Sequence, residues 1–304
     1  MTKRHLHLML VTIMMASMLI LTSCAINTSY PGSLNVVEAS KVVEDMAANP
    51  AVIVIDARGK EAYDKGHLEG AICLSVEEVV VESTVPNMLM PKDSFETLMA
   101  SKGISNDSVV YIYDDNAGIF AARIWWTMRI YGHQNVMIVN GGSSALVKAN
   151  GKLSAETTTL EASQYTASEL NTAMIATYEE VEALVATPQE NVKILDVRSA
   201  AEYAEGYIPG AILYPHTQNL YKDGTFMSSR DLGLFYKDAG FEKDDLIIIY
   251  CKTSVRATQT MALLEEAGFK NLKVYDGAWL EWSSLSGNTT QVEETVPVGE
   301  SDGS

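Results

Sequence analysis

The sequence predicts an α/β protein of two duplicated domains, each a parallel sheet flanked by helices on both faces. Two observations predict it. The first is an internal repeat. Asp56-Ala57-Arg58 through Gly70-Ala71-Ile72 aligns without gaps with Asp196-Val197-Arg198 through Gly210-Ala211-Ile212, at a constant offset of 140 residues. Val109–Tyr113 then parallels Leu246–Tyr250, and 136–141 parallels 272–277. Three blocks in one order mean a duplicated domain of roughly 110 to 120 residues, an ordinary domain size. The second observation is that short aliphatic runs alternate with helical stretches inside each copy, the pattern of a buried parallel sheet.

Taken in order, residues 1–23 read as a secretory leader. Lys3 and Arg4 precede an almost uncharged apolar run from Leu6 to Leu21, which is short for a membrane-spanning helix. Leu21-Thr22-Ser23-Cys24 resembles a bacterial lipobox, which implies lipid attachment at Cys24 and an extracytoplasmic protein anchored to a bacterial membrane. Residues 24–35 are expected to be a linker. The first domain is expected over 36–145, with strands at 51–55, 109–113 and 136–139. Residues 146–172 are rich in Thr, Ser, Ala and Gly and are expected to wrap the surface as a linker rather than pack. The second domain is expected over 173–286, with strands at 192–195, 246–250 and 272–275 and a helix at 256–267 stopped by Gly268. Residues 287–304 are polar and acidic and are expected to form a disordered tail.

A net charge of −17 without any basic stripe argues against a nucleic-acid partner. The chain has three cysteines, and with Cys24 assigned to a lipid the remaining two are too few for a disulfide framework. Cys73, in the apolar stretch Ala71-Ile72-Cys73-Leu74, is expected in the core. The five histidines show no metal-ligand spacing, so no metal site is expected. Trp125, Trp126, Trp279 and Trp282 are expected in core and interdomain packing.

Cys251 is the residue that chemistry singles out. It follows an aliphatic strand and precedes a helix, which puts it at the carboxyl edge of a parallel sheet, where such folds bind ligands. A short loop entering a helix turns backbone N–H groups toward one point and adds the positive end of the helix dipole. Both favour a thiolate over a thiol, and Lys252 and Arg256 add positive charge nearby. Such a pocket suits a nucleophilic sulfur and an anionic donor.

These blocks resemble the tandem-domain rhodanese (thiosulfate/mercaptopyruvate sulfurtransferase) family. One signature occurs twice, as Asp56-x-Arg58…Tyr63…Gly66-His67-Leu68-x-Gly70-Ala71 and Asp196-x-Arg198…Tyr203…Gly206-Tyr207-Ile208-Pro209-Gly210-Ala211. The others are the loop Tyr250-Cys251-Lys252-Thr253-Ser254-Val255-Arg256-Ala257 and the segment Asp276-Gly277-Ala278-Trp279-Leu280-Glu281-Trp282.

The resemblance implies two rhodanese-like domains, of which the second is catalytic, with Cys251 carrying sulfur as a persulfide and neither step needing a metal or cofactor. Asp114 holds the matching place in the first half and cannot carry sulfur, so that half is expected to lend surface to the cleft. The loop Lys252, Thr253, Ser254, Val255 and Arg256 would bind a small anionic donor, thiosulfate first, then 3-mercaptopyruvate or polysulfide, and a thiol would accept the sulfur. Arg198 is expected to bind the anionic end of the donor, unless it pairs with Asp196 or Glu202 instead. The family's usual glycine at the fourth loop position is Ser254 here, a residue strained if that position needs positive φ. Phosphatases of the same fold resemble a loop with five residues between Cys and Arg; here four separate Cys251 from Arg256. A sulfur carrier or binding lipoprotein without turnover is the competing reading.

Overall fold

The computed structural model describes residues 34–81 and 83–285; the expected leader, Cys24 and acidic tail lie outside them. The first five-stranded sheet contains β1 (Val36–Glu38), β2 (Val52–Asp56), β3 (Ile72–Cys73), β4 (Val109–Tyr113) and β5 (Val136–Asn140), in the order β1-β5-β4-β2-β3. The second contains β6 (Ile175–Ala176), β7 (Val192–Asp196), β8 (Ala211–Leu213), β9 (Leu246–Tyr250) and β10 (Asn271–Tyr275), in the order β6-β10-β9-β7-β8. One topology therefore occurs twice, parallel throughout. Even the register repeats, with Asp56 beside Tyr113 and Asp196 beside Tyr250. The central strands β4 and β9 are covered on both faces, which is why they read as unbroken runs of aliphatic and aromatic residues rather than as alternating ones.

The helix Val255–Glu266 ends as the sequence predicts, with Gly268 at φ 90° donating its N–H to the Glu265 carbonyl. It lies against the helix Ile119–Ile130 of the first half, and the two form the centre of the molecule. One apolar cluster joins them, running from Ile55, Ile112, Trp125 and Trp126 to Ile249, Met261 and Leu264. Smaller clusters cover the far face of each sheet, one around Val42, Val54 and Tyr111, the other around Val181, Ile248 and Trp282.

Polar contacts cross this interface in matched pairs. The Asp276 carboxylate, just past β10, accepts the Leu89 N–H of the first half at 2.8 Å. Asn140, at the same place in β5, accepts the Phe226 N–H of the second half at 2.8 Å. The halves dock as a pseudo-two-fold pair, each offering the other the same bond.

The segment 146–172 departs from the surface linker expected of it. Leu146 belongs to the helix Gly142–Lys148 and is buried, Leu153–Ser154 pairs antiparallel with His67–Leu68, and Tyr165 and Ala167 are buried. Tyr165 meets Phe95 edge-on at 5.5 Å and stacks on His133. Single apolar residues set in polar sequence give no period, so this packing has no signature in the pattern. Cys73 is half-buried at the end of an edge strand, not in the core. Trp125, Trp126 and Trp282 are buried as expected.

A shared core predicts shared stability. Trp126→Ala should lower the unfolding free energy by about 3–5 kcal/mol, with both halves still melting in one transition in urea followed by circular dichroism. Two separate transitions, or a loss under about 1 kcal/mol, would contradict a core common to both halves.

Candidate active site

Cys251 follows the last residue of β9 at the carboxyl edge of the second sheet and is buried. Lys252, Thr253 and Ser254 lead straight into the helix Val255–Glu266, so Cys251 faces a helix N-terminus. The segment after β10 clamps this loop: Trp279 and Leu280 donate their backbone N–H groups to the carbonyls of Cys251 and Lys252 at 3.0 and 3.2 Å.

The sister loop displays what such a turn holds. Asp114 follows β4 as Cys251 follows β9, and its carboxylate is buried. One oxygen accepts the N–H groups of Asn116 and Gly118, the other those of Phe120 and Ala121, all at 2.9 Å. Burial holds the Asp114 carboxyl above its ordinary value, against four N–H bonds that favour the ionised form. Acceptance of two donors by each oxygen is the pattern of an ionised carboxylate. Backbone N–H groups at this corner of the fold thus converge on an anion. The sister loop is one residue longer, since five residues (114–118) precede its helix where four (251–254) precede the other.

Ser254 takes φ 64°, ψ −20°, the left-handed conformation that favours glycine. For a residue with a Cβ this costs about 1–2 kcal/mol relative to the right-handed region. Its side chain offsets the cost. The hydroxyl accepts from Arg123 Nη1 at 2.8 Å and has both the Thr253 carbonyl, at 2.6 Å, and Asp276 Oδ1, at 2.9 Å, within reach of its one proton. Arg123, from the centre of the first half's helix, is itself buried, ion-paired with Asp276 at 2.8 Å, bonded to the Asn87 carbonyl and stacked over Trp126 at 4.7 Å. The gesture is returned: Gln259 donates to the carbonyl of Ala117, which with Gly118 is left-handed in the sister loop. Asn87, Ala117, Ser254 and Ala278 all have positive φ, so backbone strain is concentrated around the two loops and their clamp.

Arg256 is the second residue of the helix, and Cys251 is close enough to act on its charge. It is also gripped by Glu202 in a bidentate pair, both bonds 2.7 Å. Glu202 is held in place by a capping box with Ser199 at the start of the helix Ala200–Ala204. The Glu202 bond, then the neighbouring Cys251, hold the Arg256 guanidinium above its ordinary value. Arg256, with Ser199, holds the Glu202 carboxyl down at about 2. His216 is close to the same pair; burial, then the Arg256 charge, push its imidazole below the ordinary range.

Arg198 makes the Asp196 pairing that stood as the alternative to donor binding. Its Nε and Nη2 are committed to Asp196 at 2.6–3.0 Å and to the Gly206 carbonyl at 2.7 Å, and it is buried beneath Trp279. Arg58 makes the same bonds to Asp56 and Gly66 in the half without a cysteine. A bonding set shared by both halves belongs to the fold. The structure therefore brings Cys251, Ser254 and Arg256 together, leaves Lys252 exposed and Thr253 and Val255 half-buried at the rim, and sets Arg198 to bracing. Arg123 and Glu202 are the functional candidates that sequence reasoning passed over. A charge at the middle of the otherwise apolar stretch 119–128 was the available signal for Arg123. Among the described residues, no cluster of His, Cys, Asp and Glu is arranged to hold a metal ion.

Two repeated α/β domains, one with a buried cysteine at the carboxyl edge of its sheet, are matched by rhodanese-type proteins in each comparison. The model of the rhodanese-like domain matches residues 39–149 and 177–285, and the chain belongs to that family. It is 33% identical over 260 residues to a putative thiosulfate sulfurtransferase of Mycolicibacterium smegmatis, covering 80% of this chain and 92% of the relative. It is 29% identical over 243 residues to the sulfur carrier protein TtuD of Thermus thermophilus, covering 74% of this chain and 85% of that one. The fold is similar to that of the 3-mercaptopyruvate sulfotransferase SseA from Escherichia coli, with a TM-score of 0.74, 26% identity, 81% of this chain and 99% of that chain covered.

The Glu202–Arg256 pair has a pH signature. Glu202's folded pKa of about 2 lies below its ordinary 4.5, so the stability it adds is complete above the ordinary value and lost as pH falls through the folded one. The stability difference between wild type and Glu202→Gln in urea should therefore shrink steadily from about pH 6 to about pH 2. A difference independent of pH would mean that the pair contributes nothing through its charge.

Proposed function

We propose that this chain is a sulfurtransferase that moves sulfane sulfur from a small anionic donor, thiosulfate first, to a thiol through a persulfide on Cys251. The observation that carries this reading is the sister loop, where a buried carboxylate in the cysteine's place accepts four backbone N–H bonds. A loop of the same origin, carrying a thiol in that place, is suited to a thiolate and to the persulfide anion that follows it.

In the first step the Cys251 thiolate attacks the outer sulfur of thiosulfate. A new S–S bond forms, the donor's S–S bond breaks, and sulfite leaves with the bonding pair. In the second, an acceptor thiolate attacks the outer sulfur of the persulfide and the Cys251 thiolate leaves. Arg256 steadies negative charge on either sulfur, and Glu202 fixes the guanidinium's plane. Exposed Lys252 offers a cation at the rim, which favours thiosulfate over less charged donors. Arg198 braces Trp279 and the loop beneath it. The leader and lipobox support placement outside the cytoplasm, with Cys24 carrying the lipid that anchors the protein to a bacterial membrane. Similarity to a sulfur carrier favours one second reading, in which sulfur is loaded but released only to a protein partner.

Intact mass after brief exposure to thiosulfate, beside a Cys251→Ser control, tests the proposal. The expected result is a gain of one sulfur atom, removed by cyanide and absent from the control. No gain with thiosulfate, 3-mercaptopyruvate or polysulfide would contradict sulfur transfer, and a gain that neither cyanide nor a small thiol removes would support the carrier.

A further inference from the structure

The duplication gives an internal reference for a pocket that the proposed chemistry does not use. In the second half Trp279 lies over the Arg198 guanidinium at 4.5 Å, with Tyr250 also against it at 5.5 Å. The first half keeps the guanidinium and the lower ring: Arg58 packs on Tyr113 at the same 5.5 Å. The upper ring is missing there, because Ser143 stands where the other half has Trp279. Backbone bonds fix that equivalence. Ser143 N–H donates to the Asp114 carbonyl at 2.9 Å, as Trp279 N–H donates to that of Cys251 at 3.0 Å.

The result is a cleft of about 370 Å³ whose lining includes Arg58, Tyr113, Ser143, Leu68, Leu146 and Leu153. That volume falls in the range of small-molecule pockets, roughly 300–1,000 Å³. Arg58 is correspondingly more open than its twin, with 13% of its side chain exposed against 2% for Arg198. Its bonds to Asp56 and to the Gly66 carbonyl fix the plane of the guanidinium, so a ring settling on it would meet a surface already ordered. Leucine side chains complete the walls and Leu153 is 60% exposed at the mouth.

We infer that this cleft is a binding site for a small molecule carrying a planar aromatic ring of indole size, seated on Arg58 as Trp279 is seated on Arg198. A flat π face complements a fixed cation, and the leucines favour an apolar ring edge. A saturated ring of equal size would fill the walls but lose the stacking. The site is independent of Cys251 and takes no part in sulfur transfer.

The test is ligand titration of the full chain followed by NMR, with indole as the probe and cyclohexylmethanol as the saturated control. Indole is expected to shift the Arg58, Leu68 and Leu146 signals and to bind about tenfold tighter than the control, the size of a partly desolvated cation–π contact. Ser143→Trp, which plants the missing ring, is expected to abolish indole binding and raise the melting temperature while leaving the Cys251 reaction unchanged. Arg58→Lys keeps a cation beside Asp56 without the plane, and is expected to weaken indole about tenfold, which serves if the tryptophan variant fails to fold. Equal affinity for the two probes, or indole binding unaltered in a folded variant of either kind, would overturn the inference.

Discussion

A single buried ion pair, Arg123 with Asp276, ties the two halves together at the one point where their geometry matters most. Each partner comes from a different half, and both carry further bonds: Arg123 to Asn87, Asp276 to the Leu89 N–H, and both to the Ser254 hydroxyl. A buried pair is weak evidence for stability, since desolvation costs about what attraction returns. Its value here is conformational. It makes a serine workable in a backbone conformation suited to glycine, and that serine is the last residue before the helix that faces Cys251.

This explains why a half without a nucleophile is kept in register with the half that has one. The contacts between them repeat about a pseudo-two-fold axis, Asp276 with Leu89 against Asn140 with Phe226, and Arg123 with Ser254 against Gln259 with Ala117. Each helix sends a polar side chain to the other half's loop. The asymmetry lies in what the loops hold. One cradle is filled by its own carboxylate, permanently; the other presents a thiol beside an arginine that Glu202 keeps oriented.

Much of this was legible in the sequence, for physical reasons that also mark where legibility stops. The central strands announced themselves because burial on both faces demands unbroken aliphatic runs, as in 246–250. Cys251 could be placed because strand, loop and helix sit close together along the chain. The edge strands β3 and β6, two residues each, are too short to leave a pattern. Partnerships were harder than positions. Arg198 had Asp196 and Glu202 in view, but that Glu202 takes Arg256 instead depended on two segments 54 residues apart meeting at the sheet edge. Arg123 and Ser254 are 131 residues apart and in different halves, and no local rule links them. Ser254 itself was flagged as a departure; what relieves it could be seen only in three dimensions.

The central claim is that the first half holds the Cys251 loop through Arg123 and the side chain of Ser254. It is tested most directly by the rate at which iodoacetamide alkylates Cys251 in Arg123→Met, measured with serine and then with glycine at position 254. The account predicts a loss of roughly tenfold with serine, the scale of 1–2 kcal/mol of left-handed strain, and recovery of most of it with Ser254→Gly, which needs no support. An equal loss in both backgrounds would contradict the account, because Arg123 would then act on Cys251 by some route other than Ser254.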